Sequence, residues 1–313
     1  MKQVLDIKEQ ISKTISRRDA LKLISLGGIS TVLASTSNGQ TTESPNNTSS
    51  VNGKVVIVGG GLAGISVAAK LSKLITNSDI TIIDGGEILY YQPGFTLIAS
   101  GVYGAEYATY KRGDFIPQGV KWIKEYVEEF NPDNNSLTLK NGDKVSYDYL
   151  VVATGCQLNF GAIAGLSEDK IGVNGVACAY TSEGAKKMWG QIQEFVQEGG
   201  EAIFTSPATP VKCGGVAKKM QFLTDAYARK VLKRDKIDTT LCDSKGYFFS
   251  VKEYDATTEM LYKENGMNSK IKHNLIAIDT DTKKATFLHK YQLKGEYDEI
   301  LKTHTMIDMS EEV

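Results

Sequence analysis

Residues 54–64 read Lys-Val-Val-Ile-Val-Gly-Gly-Gly-Leu-Ala-Gly, an apolar run that stops at a cluster of glycines. Val55–Val58 is short and β-branched, as a buried parallel strand requires. Gly59-x-Gly61-x-x-Gly64 follows it without a gap and opens a helical stretch, GLAGISVAAKLSKL. In such a motif the first glycine permits a tight turn, the second lets backbone approach a pyrophosphate, and the third lets helix pack close on strand. Leu62 and Ala63 stand at the helix start, where free N–H groups and the helix dipole favour negative charge. The next strand, DITIID, ends in Asp84, 20 residues after Gly64 and placed to bind a ribose hydroxyl. Val55–Asp84 is therefore expected to be a dinucleotide-binding unit.

Beyond Asp84 comes an aromatic-rich loop, Tyr90 to Tyr110, and then KWIKEYVEEFNPDNNSLTLKNGDKVSYDYLVVATG. Turn signals at Asn131-Pro132-Asp133 and Asn141-Gly142-Asp143 predict an antiparallel hairpin there. A second α/β stretch is predicted after Gly165, with a helix around Ser182–Glu198, a strand at Glu201–Thr205 and a helix around Gly215–Lys230. A strand–helix pair over about Ile237–Asn265 and two short strands ending near His289 complete it. No repeat of solenoid period is present.

At 313 residues, 41% of them hydrophobic and 23% charged, the chain has material for a real core and two domains. A net charge of -1 creates no basic field, and no recognition motif for nucleic acid occurs. His273, His289 and His304 share no metal-ligand spacing with a cysteine, so no metal site is expected. Ser16-Arg17-Arg18-Asp19 followed by the apolar run Leu21–Leu33 reads as a twin-arginine signal over residues 1–34, with cleavage before Ser35. That signal predicts a periplasmic protein exported already folded, with any tight cofactor loaded first. Residues 35–52 are rich in Ser, Thr and Asn and cannot bury enough apolar surface to order themselves, so they read as a linker.

Four cysteines are too few for a disulfide scaffold. Cys213 stands between Lys212 and Gly214, in a proline-bearing turn that leads into a helix. A thiol beside a cation and a helix N-terminus carries a larger thiolate fraction, so Cys213 is expected to be reactive. Cys242 follows a strand and reads as structural. Cys156 directly follows Ala153-Thr154-Gly155.

An apolar strand ending in Ala-Thr-Gly and fed by a hairpin resembles the second signature of the two-dinucleotide-binding-domain flavoproteins. In that family Thr154 and Gly155 mark where the chain passes the cofactor and enters the second domain. Together with the glycine motif this implies FAD. The turn after the strand Ala202–Thr205 reads SPATPVKCGG, with two prolines and a lysine in place of a glycine fingerprint, so no nicotinamide cofactor is expected there.

Tyr90-Tyr91-Gln92-Pro93-Gly94-Phe95-Thr96-Leu97, the Thr209–Gly215 turn and Phe222-Leu223-Thr224-Asp225 look like the sulfide:quinone oxidoreductases, over roughly residues 53 to 300. The resemblance implies an α/β fold of two Rossmann-like dinucleotide-binding-type domains, the first (FAD) domain carrying the inserted antiparallel hairpin. Residues 53–160 would form the FAD-binding domain and 161–300 the second lobe with the redox cysteine. It further implies that Gln92 and Pro93 stand near the flavin and that Cys213 is redox-active beside it. Cys178, matching approximately an extra cysteine of some members, would assist in sulfur handling. The implied reaction oxidises sulfide to sulfane sulfur or polysulfide through a persulfide and passes two electrons to a membrane quinone. Peripheral membrane contact and assembly into a homo-oligomer stay open.

The pattern breaks off towards the C-terminus. Family members are longer and carry a strand followed by Gly-Asp, a partner cysteine for Cys213 and C-terminal amphipathic helices. Residues 301–313 are expected to be a truncated start of that segment. Two other readings stay open. One is the flavoprotein subunit of a flavocytochrome c sulfide dehydrogenase, although no cysteine lies between Asp84 and Lys111 to hold a flavin covalently. The other is a truncated, non-catalytic paralogue acting as a binding protein.

Overall fold

The structure is a computed structural model that describes residues 52–75, 77–291 and 307–312. The expected signal at 1–34 and nearly all of the linker at 35–52 lie outside the described residues. The described residues fall within one compact unit.

The glycine motif is built as its sequence demands. Strand β1 (Lys54–Val58) leads through Gly59–Gly61 into helix α1 (Leu62–Leu74), and β2 (Asp79–Ile83) returns parallel to β1. With β5 (Lys121–Ile123) and β9 (Tyr149–Val152) they form a parallel sheet of order β5-β2-β1-β9. Alternation along β1 divides the core. Val55 and Ile57 pack with Ile65 and Ala68 of α1, while Val56 and Val58 pack on the opposite face with Leu137, Leu139, Val145 and Tyr147. Each fully buried Val or Ile there contributes about 1.5–3 kcal/mol of transfer free energy.

The second face is covered by the inserted segment. It forms a three-stranded antiparallel meander, β6 (Val127–Asn131), β7 (Ser136–Leu139) and β8 (Lys144–Ser146), in place of one hairpin. The two turn signals bound its two connections. The flanking residues Lys121–Ile123 and Tyr149–Val152 join the parallel sheet because their apolar side chains fill its core.

The aromatic loop contains β3 (Ile88–Tyr90), helix α2 (Phe95–Ala99) and β4 (Thr109–Lys111). Phe95, Ile98 and Ala99 of α2 bury themselves in the second core, among Ala185, Met188, Ile192 and Met220. This loop thus ties the two halves of the fold together. Helix α3 (Ser182–Glu198) begins at Thr181, whose hydroxyl accepts from the Gly184 N–H at 2.9 Å, and ends at Gly199 with φ +89°. Its buried Ala185, Met188, Ile192 and Val196 form one stripe at helical spacing. Strands β10 (Gly200–Ser206), β11 (Ile237–Asp243) and β12 (Asn268–Ile271) make a second parallel sheet, flanked by α4 (Val216–Lys230) and α5 (Lys252–Asn265). An antiparallel sheet of β13 (His273–Asp279), β14 (Lys284–Tyr291) and β15 (Ile307–Glu312) follows. His273 and His289, separate in sequence, are register partners with rings stacked at 4.0 Å. No described helix is long and apolar enough to cross a membrane.

Candidate active site

The two motifs of the first domain meet at one point. Gly59 has φ +108°, and a Cβ added to it would overlap the Ala153 carbonyl in the turn after β9. The Ala153 N–H donates to Val58 O at 2.7 Å, which fixes Thr154 and Gly155 beside the glycine turn, both exposed. Gly64 is crossed by the Gly59 carbonyl, so a side chain there would force helix from strand. At Gly61 the opposite holds. A Cβ would meet nothing within 4 Å, and Gly61 caps α1 with no side chain on the helix end. Leu62 and Ala63 are exposed there, and the first turn carries no acidic residue. The result is an open cradle of free N–H groups that suits a diphosphate.

Asp84 closes this turn from below. Its Oδ2 accepts from the Gly60 N–H at 2.7 Å and its Oδ1 from the Gly86 N–H at 2.8 Å. The same carboxylate is ion-paired with Arg112, whose Nη2 also donates to Ile88 O at 2.9 Å. Sequence reading placed Asp84 at the site but missed Arg112. An isolated arginine that opens a short 3-10 turn directly after β4 carries no local pattern that would announce the contact.

Cys213 lies at the mouth of α4, exposed, with φ +59°. Its carbonyl accepts from Val216 N–H at 3.1 Å and from the Tyr180 hydroxyl at 3.4 Å. Its sulfur accepts from Lys219 Nζ at 3.2 Å. The preceding residue, Lys212, donates to the Gln92 side-chain oxygen, a contact that joins the cysteine turn to the aromatic loop of the first domain. Pro93 follows as the second residue of the 3-10 turn Gln92–Gly94. A buried ion pair supports the turn: Lys218 Nζ meets Asp243 Oδ2 at 2.6 Å and Gly214 O at 3.4 Å, with the two side chains 4% and 1% exposed.

Cys178 is half-buried, its sulfur accepting from the Tyr180 N–H at 3.5 Å, and burial pushes its thiol pKa up. The Tyr180 hydroxyl is pushed up to about 12, first by burial and then by its closeness to Cys213, Cys178 and Cys156. Tyr180 thus touches two of the four cysteines, Cys178 through its N–H and Cys213 through its hydroxyl. The cysteines differ in kind: Cys213 and Cys156 are exposed, while Cys178 is half-buried with its thiol pKa pushed up. Cys242 is buried within β11. Among the described residues no group of three or more metal-ligating side chains occurs.

Residues 53–188 match the family described as pyridine nucleotide-disulphide oxidoreductase. Over 235 residues the chain is 40% identical to the mitochondrial sulfide:quinone oxidoreductase of Dictyostelium discoideum. The chain is a homologue of the sulfide:quinone oxidoreductases. That match covers 75% of this chain and 52% of the relative. The mitochondrial sulfide:quinone oxidoreductase of Mus musculus is 35% identical over 238 residues, covering 75% of this chain and 51% of the relative. Among solved structures, the sulfide:quinone oxidoreductase of Aquifex aeolicus superposes with a TM-score of 0.67 at 25% identity, over 83% of this chain and 56% of that one. The chain spans about half the length of the sulfide:quinone oxidoreductases it matches.

Proposed function

We propose that this chain holds FAD in the Gly59–Gly64 cradle and uses Cys213 to oxidise sulfide, with electrons passing to a quinone. FAD is the cofactor of the family to which residues 53–188 are matched. The residues present fit it. The helix end at Gly61 is open, Thr154 and Gly155 border it, and the Arg112 guanidinium is buried beside it with Nε lacking a hydrogen-bond acceptor. When bound, FAD supplies a two-electron acceptor.

The chain's own residues supply the sulfur chemistry. Lys219 holds a positive charge at the Cys213 sulfur and attracts hydrosulfide to the same place. Hydrosulfide sulfur joins Cys213 as a persulfide: an S–S bond forms, the S–H proton leaves to water, and two electrons depart to the acceptor and on to quinone. The Lys212–Gln92 contact keeps this thiol facing the first domain, and the Lys218–Asp243 pair keeps its turn from shifting. Cys178 stays protonated and serves as a sulfur-handling neighbour.

The observation that carries the reading is the Cys213 turn, an exposed sulfur under an ammonium, linked through Lys212 to the loop of the flavin domain. Export by the twin-arginine route to the periplasm, with contact to the membrane holding the quinone, belongs to the same proposal and rests on Arg17-Arg18 and the apolar run after them. The test is to incubate FAD-loaded protein with sulfide and a soluble quinone, alkylate it, and map thiols by mass spectrometry. One added sulfur on the Cys213 peptide is expected, formed once per flavin without quinone, with sulfide consumption continuing beyond that only when quinone is present. Unmodified Cys213 with sulfide left unconsumed would refute the proposal.

A further inference from the structure

Helix α4 ends in a way that costs the fold something. The Leu232 N–H donates to Arg229 O at 3.1 Å and the Lys233 N–H to Ala228 O at 2.8 Å, the paired bonds of a left-handed helix cap. Glycine normally fills the left-handed position because a Cβ is strained there, yet the residue is Leu232, at φ +57°. Burial offers nothing in return: Leu232 is 87% exposed, the most exposed large apolar residue described. Around it, residues 225–236 carry five cations, Arg229, Lys230, Lys233, Arg234 and Lys236, against Asp225 and Asp235. The buried Asp225 carboxylate pairs with both Arg229 and Arg234, and the two arginines also donate to Asn265 O and Gly266 O. The patch is thus held in place as well as basic, and an open depression lies between Leu232, Arg234 and Gly266.

Its complement is on the same chain. Residues 125–139 hold four carboxylates, Glu125, Glu128, Glu129 and Asp133, and no cation. Glu128, Glu129 and Phe130 stand exposed on β6, an edge strand of the meander. Among the described residues Glu128, Glu129 and Asp133 enter no ion pair, and neither do Lys230 and Lys236. We propose that copies of this chain associate head to tail, the Leu232 patch of one against the β6 edge of the next. Leu232 and Phe130 supply the apolar contact, and the opposed charges set its register. Either patch placed against itself would bring like charges together, which disfavours a two-fold pairing through either. A contact between unlike patches leaves each copy one free patch of each sign, so assembly runs on until a ring closes. The proposal needs neither flavin nor sulfide and stands apart from the reading of the Cys213 site.

The test is sedimentation velocity on the purified full chain over a range of concentrations, at low and high salt. Species larger than one chain are expected at low salt, dissociating as salt rises. Lys230→Glu with Lys236→Glu, and separately Glu128→Lys with Glu129→Lys, should each weaken association on the order of 100-fold. An equal mixture of these two variants should associate again, because each then offers the other patches of opposite sign. Leu232→Gly should weaken association about 10-fold and unfold no earlier than the parent, since glycine suits the left-handed cap. A parent that sediments as a single chain at every concentration overturns the proposal, as do charge-reversed variants that associate like the parent or stay apart when mixed. A single-chain parent that instead binds phosphatidylglycerol vesicles through Leu232 would assign the patch to a lipid surface, and that also overturns it. Should a charge-reversed variant fail to fold, the salt dependence of the parent and the loss in Leu232→Gly still decide.

Discussion

Lys219 Nζ lies 3.2 Å from the sulfur of Cys213, although the two residues are 6 apart in a segment that changes from turn to helix between them. The helix start at Val216 brings this about, because it sets the rotation that turns Lys219 towards the sulfur and Lys218 towards Asp243. Two adjacent lysines thus do different work. One faces a reactive atom, the other is sealed into the fold.

Lys219→Met is therefore expected to slow alkylation of Cys213 about fivefold at neutral pH, the modest factor appropriate to an exposed charge. Lys219→Arg should keep most of the rate. The measurement is iodoacetamide labelling followed by mass spectrometry, with Cys156 and Cys178 replaced by serine. Equal rates in the Met variant and the parent would remove Lys219 from the account.

Removal of one member of the buried pair has a larger consequence. Lys218→Met leaves Asp243 charged and unpaired at 1% exposure, which is expected to cost about 3–5 kcal/mol of stability in urea unfolding. Replacing Asp243 with leucine in the same chain should restore much of it, since no buried charge then remains.

The glycines of the cradle separate fold from ligand. Gly64→Ala drives a methyl group into the Gly59 carbonyl and is expected to cost about 1–3 kcal/mol in thermal or urea unfolding. Gly61→Val meets open space, so stability should hold while flavin retention in the purified protein falls sharply. A Gly61→Val protein that keeps its flavin would place the diphosphate elsewhere.

Alkaline pH should expose Tyr180. Its hydroxyl pKa rises from the ordinary 10.0 to about 12 because burial opposes the phenolate. Between those values the unfolded chain loses the proton and the native chain keeps it, so native protein binds more protons and stability falls as pH climbs. Its contribution is fully present below about pH 10 and is lost as pH rises through about 12. Tyr180→Phe should flatten that part of the stability curve; a slope unchanged by the substitution would mean that other groups dominate there.

Much of this was legible from residue order, for reasons that differ by region. The β1–α1–β2 unit rests on local rules, glycines at fixed offsets after an apolar run, and the chain follows them residue by residue. Helix α3 spans the predicted Ser182–Glu198, and the structure supplies its boundaries in the Thr181 cap and Gly199. The meander was read as a single hairpin because turn signals show where a chain reverses, not which sheet each strand joins. Arg112 escaped because its partner is 28 residues upstream, within a loop whose path depends on β3 pairing with β4. Likewise the contact between the Tyr180 hydroxyl and the Cys213 carbonyl is a product of tertiary packing, and no spacing of cysteines encodes it.

The most direct measurement is an anaerobic titration of the FAD-loaded chain with sulfide, followed in the flavin absorbance band and repeated on Cys213→Ser. The account expects the parent to bleach and to recover its colour on addition of quinone, while Cys213→Ser keeps its flavin and stays coloured. A serine variant that bleaches at the parent's rate, or a flavin-loaded parent indifferent to sulfide, would contradict the assignment of Cys213 as the reacting sulfur.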